Sequence, residues 1–282
     1  MKIIECPRDA MQGLHDFVPT DLKIEYIDKL LKVGFDTIDF GSFVSPKAIP
    51  QMRDTAEVLD GLELGSSKSK LLAIVANVKG AEIASNFEEI QYLGYPLSLS
   101  ETFQQRNTNR SIDTAFDNLA EIQDICQSDD KTLVVYLSMG FGNPYGDPYE
   151  IDYVGQFVDR LDEMEIDVVS LADTIGVATP EIISPLFRTL IPKFPHIEFG
   201  AHLHSTPATA KAKVKAAFDG GCRRIDGAVR GFGGCPMAKD DLTGNMATET
   251  IIEFLNENEV STGLDESIFK EAINFSNKIF LT

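Results

Sequence analysis

The chain has 282 residues, of which 43% are hydrophobic and 24% are charged, as in an ordinary soluble globular protein. Its net charge of -19 argues against nonspecific nucleic-acid binding, which needs a basic face. No apolar run approaches the roughly 20 residues that a membrane-spanning helix requires. The N-terminus lacks the apolar segment of a signal peptide, and the four cysteines are scattered without a C-x-x-C pair. A cytoplasmic protein is therefore expected.

Short apolar strands alternate with amphipathic helical stripes along the whole chain. The first strand contains Ile3 and Ile4, and Thr20 is the predicted N-cap of a helix that Gly34 ends. The other predicted strands cover residues 35–40, 71–76, 90–97, 132–138, 167–171, 197–202 and 223–229. Further helices are predicted at residues 51–59, around 81, and at 112–126, 153–161, from 180, 210–218, 251–255 and 268–279.

Eight strands that alternate with helices predict an α/β fold with a parallel sheet. A chain of this length with eight such units favours a TIM (β/α)8 barrel, here with an extra C-terminal helix. No G-x-G-x-x-G follows the first strand, which argues against dinucleotide binding. No linker divides the chain, so residues 1–282 are expected to form a single catalytic domain.

Two of the four histidines, His202 and His204, lie at the end of the predicted seventh strand. Residues two apart in a strand point to the same face, so these imidazoles project together while Leu203 faces the other way. Neighbouring neutral imidazoles are typical of a metal site. A pair of hydrogen-bonded polar residues without any metal is the alternative interpretation of so short a motif.

Polar residues follow most of the predicted strands, at the end where the active site of a barrel lies. They are Arg8 and Asp9, Asp39 and Ser42, Asn77, Asp173, His202 and His204, and Asn245. One carboxylate, two imidazoles and an amide oxygen suit Mg²⁺ or Mn²⁺, and also Zn²⁺. Such a site, with open positions, could bind two oxygens of a hydroxy acid or keto acid and act as a Lewis acid.

These motifs together resemble the DRE-TIM metallolyases, and most closely the 3-hydroxy-3-methylglutaryl-CoA (HMG-CoA) lyases. The matching segments are Pro7-Arg8-Asp9-Ala10-Met11-Gln12, Ser42-Phe43-Val44-Ser45-Pro46-Lys47, Asp173-Thr174-Ile175-Gly176, His202-Leu203-His204, Gly233-Gly234-Cys235-Pro236 and Gly244-Asn245-Met246-Ala247-Thr248-Glu249. The second and fifth segments point to the lyase branch, whereas the others are shared with isopropylmalate and homocitrate synthases.

The resemblance implies cleavage of HMG-CoA to acetyl-CoA and acetoacetate by a metal-dependent enzyme, commonly a homodimer. The implied metal ligands are Asp9, His202, His204 and Asn245. The implied catalytic residues are Arg8, which would stabilise the enolate oxygen, Asp173, His202 and Cys235. Substrate-binding candidates are Gln12, Ser42, Lys47 and Asn77, and basic candidates for the CoA phosphates are Lys47, Lys79, Arg106 and Arg110.

Two departures from the lyase pattern bear on the substrate. Ile4 occupies a position where the lyases carry Glu, and Glu5 lies one residue later on the opposite strand face; Asp39 also replaces a Glu. A related hydroxy-acyl-CoA or hydroxy acid is therefore an alternative substrate. A condensing synthase is a weaker alternative, because the chain ends soon after the barrel, and a catalytically silent barrel would not need all four ligands.

Overall fold

The computed structural model describes residues 1–234 and 243–281, which form a closed barrel of parallel strands enclosed by helices. Its strands are β1 (Lys2–Glu5), β2 (Thr37–Ser42), β3 (Lys70–Ile74), β4 (Ile90–Ser98), β5 (Thr132–Ser138), β6 (Val168–Asp173), β7 (Glu198–Ser205) and β8 (Arg224–Gly227). Each strand pairs in parallel with the next, and pairing of β1 with β8 closes the ring. The predicted TIM barrel is confirmed.

The described part of the chain contains eleven α-helices, the last of which is the predicted C-terminal helix. They are α1 (Pro7–Gln12), α2 (Thr20–Val33), α3 (Thr55–Gly61), α4 (Val78–Ser85), α5 (Glu101–Thr108), α6 (Ile112–Ser128), α7 (Ile151–Glu163), α8 (Pro180–Lys193), α9 (Ala210–Asp219), α10 (Thr248–Glu257) and α11 (Glu266–Phe280). Among these described helices, none is long and apolar enough to cross a membrane.

The sequence did not predict two of these helices, α1 and α5. Helix α1 is only six residues long, too short for an amphipathic stripe. Helix α5 is mostly polar, and its buried side chains are Phe103 and Gln104. Its ends are nonetheless defined locally, because the Ser100 hydroxyl accepts a hydrogen bond from the Phe103 N–H and Asn109 adopts a left-handed conformation.

The boundary of β7 also differs from its prediction in a way that matters for the site. The strand continues to Ser205, so His202 and His204 both lie within regular extended backbone. Their alternation therefore follows the register of the sheet, in which His202 is opposite Ala172 of β6. A two-residue strand, β9 (Gly244–Asn245), pairs antiparallel with this end of β7 and places Asn245 opposite His204.

Apolar side chains close the interior of the barrel below the strand ends. This inner cluster consists of Leu72, Ile74, Tyr92, Val134, Tyr136 and Val168, while a larger core fills the space between strands and helices. Helix α11 packs on this outer layer, where the ring of Phe275 stacks on Tyr26 with centroids 6.2 Å apart. The interior is thus a packed core, as in other TIM barrels, and open space remains near the C-terminal strand ends.

Glu5 links three segments at the outer side of the barrel. Its carboxyl group is fully buried and accepts hydrogen bonds from the Thr248 hydroxyl (2.5 Å), at the start of α10, and from the Val229 N–H (2.9 Å), just after β8. Burial raises the pKa of Glu5 to about 8, although both hydrogen bonds oppose this shift. The group is therefore protonated at neutral pH in the folded protein and ionised in the unfolded chain.

We expect Glu5 to make the folded protein less stable as pH rises. Because its pKa is raised from 4.5 to about 8, its stabilising contribution is complete below about pH 4.5 and is lost as pH approaches 8. Glu5→Gln should flatten this decline, by an amount of the order of a few kcal/mol. Urea unfolding between pH 5 and 8 measures the free energy of unfolding at each pH. Glu57→Gln, on the exposed side of α3, is the control. Parallel curves for wild type and Glu5→Gln would contradict the assignment.

Candidate active site

The two histidines of β7 lie side by side at the C-terminal end of the barrel. Their ring centroids are 5.5 Å apart. Asp226 of β8 lies beside His202, and its Oδ2 is 3.0 Å from Nδ1 of the imidazole. A carboxylate at this distance assigns a proton to Nδ1 and, against the effect of burial, raises the pKa of His202, so Nε2 can bind a metal once its own proton is released.

His204 is kept neutral by its surroundings. The side chain is buried, and burial together with the charge of His202 lowers the pKa of His204 to about 4. Its imidazole also shares a hydrogen bond with the backbone of Thr174, which follows β6. A neutral, oriented imidazole is the form that binds a metal ion.

Asp9 supplies the anionic donor from α1, which begins directly after β1. Ligand atoms of Asp9, His202 and His204 lie within 4.8 Å of one another. Burial tends to raise the pKa of Asp9, but the charge of Arg8, with smaller contributions from the neighbouring imidazoles and the Asn245 hydrogen bond, outweighs it, so the pKa lies below its usual value. The Asn245 amide donates to Asp9 Oδ2 (2.7 Å) and to the Phe232 carbonyl (2.9 Å). The structure therefore brings all four predicted ligands together.

This donor set fits a divalent cation. Asp9 is ionised and His204 is neutral. Burial opposes but does not cancel the effect of Asp226, which raises the pKa of His202, so coordination by His202 would release the proton from its Nε2. Mixed nitrogen and oxygen donors suit Mg²⁺, Mn²⁺ or Zn²⁺. No described thiol belongs to the Asp9, His202 and His204 cluster.

Arg8 is fixed beside this cluster by an extensive set of hydrogen bonds. Its Nη2 is 2.5 Å from Asp39 Oδ2 and its Nε is 3.1 Å from both oxygens of that carboxylate, while Nη1 donates to Asp9 Oδ1 and Gln12 Oε1, each at 2.9 Å. Burial raises the pKa of Asp39 to about 6 against the opposing charge of Arg8. Asp39 is therefore ionised at neutral pH and holds the guanidinium plane in one orientation.

A cavity of about 410 Å³ opens onto these groups, a size suited to a small ligand. Polar side chains on its wall include Arg8, Asp9, Gln12, Ser138, His202 and His204. The rest of the lining is largely apolar and includes Val44, Ile49, Ile74, Pro96 and Phe103. The cavity can thus hold a ligand with one polar end directed at the cation donors.

The remaining predicted site residues occupy different surroundings. Gln12 contacts both Asp9 and Arg8. Ser42 is buried and its hydroxyl accepts from the Val44 N–H, while Asn77 caps α4 by accepting from the Gly80 N–H. Lys47 is exposed near the cavity rim. The substrate-binding roles of these four residues stay predictions.

Two of the predicted catalytic residues are not part of the described cavity wall: Asp173 lies behind it, and Cys235 is outside the described residues. The carboxylate of Asp173 is buried and accepts from the Ala178 N–H (3.0 Å) and from Lys213 Nζ (2.7 Å). Burial raises its pKa, although Lys213 opposes this shift. Cys235 lies outside the described residues. Both catalytic roles stay predictions.

The candidate phosphate-binding residues surround the same end of the barrel. Arg106 of α5 lies over the ring of Tyr145, with its guanidinium carbon 4.8 Å from the ring centroid. Arg110 is half-buried and its guanidinium donates to the Ala76 carbonyl at 3.4 Å, whereas Lys79 is exposed. Arg110 thus contacts a residue of the cavity wall, because Ala76 forms part of that wall.

Sequence reasoning missed the groups that hold the candidate ligands in place. Asp226 and Lys213 were not identified, although Asp226 alternates with Arg224 on β8 as inward residues of a strand do. The pairing of Asp39 with Arg8 was also missed, because residues 31 apart give no local signal. The period of β8 could have revealed Asp226, whereas the other two contacts depend on tertiary packing.

Gly233 is packed too closely against the site to carry a side chain. Its φ is +91°, and an added Cβ would lie 2.7 Å from Asn245 Nδ2 and 2.8 Å from the Asp9 carbonyl oxygen. Gly263 provides a matched comparison, because its φ is +71° but no atom lies within 4 Å of an added Cβ. The two glycines separate backbone strain from crowding of the ligands.

We expect Gly233→Ala to weaken Mn²⁺ binding at least about tenfold by displacing Asp9 or Asn245. Gly263→Ala should share the strain of a left-handed backbone, of about 1–2 kcal/mol, and leave the Mn²⁺ dissociation constant unchanged. Isothermal titration calorimetry with Mn²⁺ measures the dissociation constants of both variants. Equal affinities in the two variants would show that Gly233 does not position the ligands.

Comparison with known proteins agrees with this geometry. The HMGL-like family model matches residues 2–275. Mitochondrial hydroxymethylglutaryl-CoA lyase of Mus musculus is 34% identical over 98% of this chain and 84% of its own length. The HMG-CoA lyase structure from Brucella melitensis superposes with a TM-score of 0.92 at 30% identity, covering 100% of this chain and 99% of that one.

A second solved structure carries ligands. The HMG-CoA lyase from Acinetobacter baumannii, in complex with coenzyme A and 3-methylmalate, has a TM-score of 0.90 at 30% identity, covering 99% of this chain and 90% of that one. Family match, sequence identity and fold agree over nearly the whole chain, which confirms the resemblance inferred from the sequence motifs. The protein therefore belongs to the HMGL-like family of carbon–carbon lyases.

Proposed function

We propose that residues 1–282 act as one catalytic domain that cleaves HMG-CoA to acetyl-CoA and acetoacetate with the help of a divalent cation. The observation that carries this proposal is the convergence of the Asp9, His202 and His204 donors with the Arg8 guanidinium on one wall of one cavity. The family match and the lyases among the relatives support the choice of reaction.

Asp9, His202, His204 and Asn245 would hold the cation, with Mg²⁺ or Mn²⁺ favoured and Zn²⁺ as the alternative. When bound, such a cation supplies Lewis-acid polarisation to two oxygens of the substrate. The protein fixes the donors beforehand: Asp226 orients His202, the Thr174 backbone orients His204, and Asn245 holds Asp9. This preorganisation limits the entropy that must be lost on binding.

The reaction requires a proton to leave the tertiary hydroxyl of the substrate. The bond between the carbinol carbon and the acyl-CoA α-carbon then breaks, the carbinol becomes a ketone, and the bonding electron pair passes to the thioester as an enolate. Protonation of the enolate carbon gives acetyl-CoA. Negative charge therefore develops on the thioester oxygen, which is where a fixed cationic donor lowers the barrier.

Arg8 is the residue best placed to stabilise this enolate. Its bonds to Asp39, Asp9 and Gln12 keep the guanidinium group rigid, and it forms part of the cavity wall. A preorganised donor of this kind does not reorganise as the charge develops. His202 also lines the cavity and is proposed to act as a catalytic residue as well as a metal ligand. Cys235 is proposed as a catalytic residue from the family motif.

The CoA substrate, the compartment and the assembly state belong to the same proposal. The apolar wall of the cavity and the nearby Arg106 and Arg110 support an acyl-CoA ligand. Buried free thiols at Cys6, Cys126 and Cys222 support a reducing compartment such as the cytoplasm. A homodimer is proposed from the family resemblance, and light scattering after size exclusion measures it.

A related hydroxy-acyl-CoA is the second candidate substrate, and the surroundings of Arg8 favour including it. Ile4 is fully buried and lies opposite Asp226 in the register of β1 with β8, where the resemblance expects a carboxylate. Asp39, which replaces a Glu, binds Arg8 directly. These changes alter the polar groups around the guanidinium without altering the cation donors.

We predict metal-dependent release of acetyl-CoA and acetoacetate from HMG-CoA in equal amounts. The assay compares protein stripped with EDTA, the same protein with Mg²⁺ or Mn²⁺ restored, and the His204→Ala variant. Restoration of turnover by either cation in the wild type, and by neither in His204→Ala, is the expected result. Wild-type protein that binds Mn²⁺ and releases no acetoacetate would direct the search to related hydroxy-acyl-CoA substrates and overturn the primary assignment.

We predict that Arg8→Lys keeps Mn²⁺ binding within a few-fold of wild type but loses about 10²–10³-fold in kcat. A lysine ammonium retains the charge and lacks the planar fork that Asp39 orients, and loss of one transition-state donor typically has this magnitude. Steady-state kinetics with saturating Mn²⁺ measure the effect. Near-normal turnover in the variant would remove Arg8 from the mechanism.

A further inference from the structure

Lys213 is a lysine buried behind the candidate metal site. It lies on α9, and its side chain is 4% exposed. Its Nζ donates hydrogen bonds to Asp173 Oδ2 (2.7 Å), to the His204 carbonyl (2.7 Å) and to the Gly176 carbonyl (3.0 Å). An ammonium group has three hydrogen-bond donors, so all of them are used.

The three acceptors belong to the two strand ends that carry the site. His204 is the last predicted ligand on β7, whereas Asp173 ends β6 and Gly176 lies in the turn that follows. The same turn is tied down a second time, because Asp173 Oδ1 accepts from the Ala178 N–H at 3.0 Å. Lys213 therefore joins the turn after β6 to the main chain of His204.

The turn after β6, once held in position, orients the side chain of His204. The imidazole shares a hydrogen bond with the backbone of Thr174, the residue directly after Asp173. Lys213 thus controls His204 in two ways: it binds the backbone carbonyl of the histidine, and it holds the turn that binds the imidazole. Lys213 does not form part of the cavity wall, so it acts on the site through these neighbours.

The other lysines of the same helix show that burial of Lys213 is not a general property of α9. Lys211 and Lys215 are exposed and form surface ion pairs with Glu257 and Asp219, respectively. Removing an ammonium group from water is costly unless it is paired and hydrogen-bonded. Lys213 lies on the buried face of α9 with Ala210, Val214 and Ala217, and a specific set of acceptors accommodates its ammonium group there.

We propose that Lys213 is a positioning residue that fixes the imidazole of His204 for cation binding. This inference rests on the metal site of the proposed function, since it specifies how one ligand of that site is held. Lys213 touches neither the cavity nor the donor atoms. Loss of its contacts should therefore lower the affinity for the cation without changing which residues bind it.

The test measures Mn²⁺ affinity in Lys213→Met, by electron paramagnetic resonance of free Mn²⁺ in a titration. Methionine keeps the length of the side chain and removes the three donors. Loss of a group that orients a metal ligand typically weakens binding 10–100-fold, and we expect a change of about this size. Lys215→Met on the same helix is the matched control, for which the Mn²⁺ dissociation constant should stay at the wild-type value.

A second variant allows for the buried charge that Lys213→Met leaves unpaired on Asp173. In Lys213→Met/Asp173→Asn the ion pair is removed as a whole, while the bond to the His204 carbonyl is still lost. Circular dichroism and thermal unfolding without metal identify folded protein. The double variant should show the same loss of Mn²⁺ affinity, whereas a purely structural role would lower the melting temperature and leave the affinity of the folded protein unchanged.

The outcomes separate this inference from the proposed function. Wild-type Mn²⁺ affinity in the folded double variant, alongside normal binding by the wild type, would overturn only the role of Lys213. Failure of the wild-type protein itself to bind Mn²⁺ would overturn the metal site and with it this inference. Weakened binding in both Lys213 variants, with unchanged binding in Lys215→Met, supports the positioning role.

Discussion

The pairing of buried charges is the constraint on which the mouth of this barrel depends. Arg8, Asp9, Asp39, Asp173, Lys213 and Asp226 are all buried. An isolated buried charge costs several kcal/mol, and each of these six groups has a partner. Arg8 is paired with Asp39 and Asp9, Lys213 with Asp173, and Asp226 with His202.

This pairing explains why the site can be assembled before a cation or substrate arrives. Asp226 fixes the protonation of one imidazole, while burial keeps the other imidazole neutral. Asp39 holds the plane of the Arg8 guanidinium. Arg8 and His202 are therefore oriented by carboxylates, those of Asp39 and Asp226, that do not line the cavity, which is how a rigid scaffold lowers the cost of organising a transition state.

Sequence alone predicted the elements whose signal is local. The alternation around Leu203 correctly predicted that His202 and His204 share a face, because a strand repeats every two residues. Placing Asp9 with them required only the rule that strand ends of a barrel meet at one mouth. Helix α5 was missed because it is mostly polar and buries few side chains.

The contacts that the sequence could not predict join residues far apart in the chain. The bond from Lys213 to Asp173 spans 40 residues, and the bond from Thr248 to Glu5 spans 243. Helical spacing from Ala210 and Ala217 places Lys213 on the buried face of α9, unlike the exposed Lys211 and Lys215, but it gives no information about the groups that face its ammonium. Only the packing of α9 against the ends of β6 and β7 gives this one lysine its acceptors.

Two imidazoles and a carboxylate at this mouth are proposed to bind the catalytic cation. Electron spin echo envelope modulation of the Mn²⁺-loaded protein tests this proposal most directly, because the method detects nitrogen nuclei coordinated to the ion. We expect modulation from two histidine nitrogens, one of which disappears when His204 is replaced by alanine. Mn²⁺ bound without any nitrogen modulation would place the cation away from His202 and His204 and rule out this site.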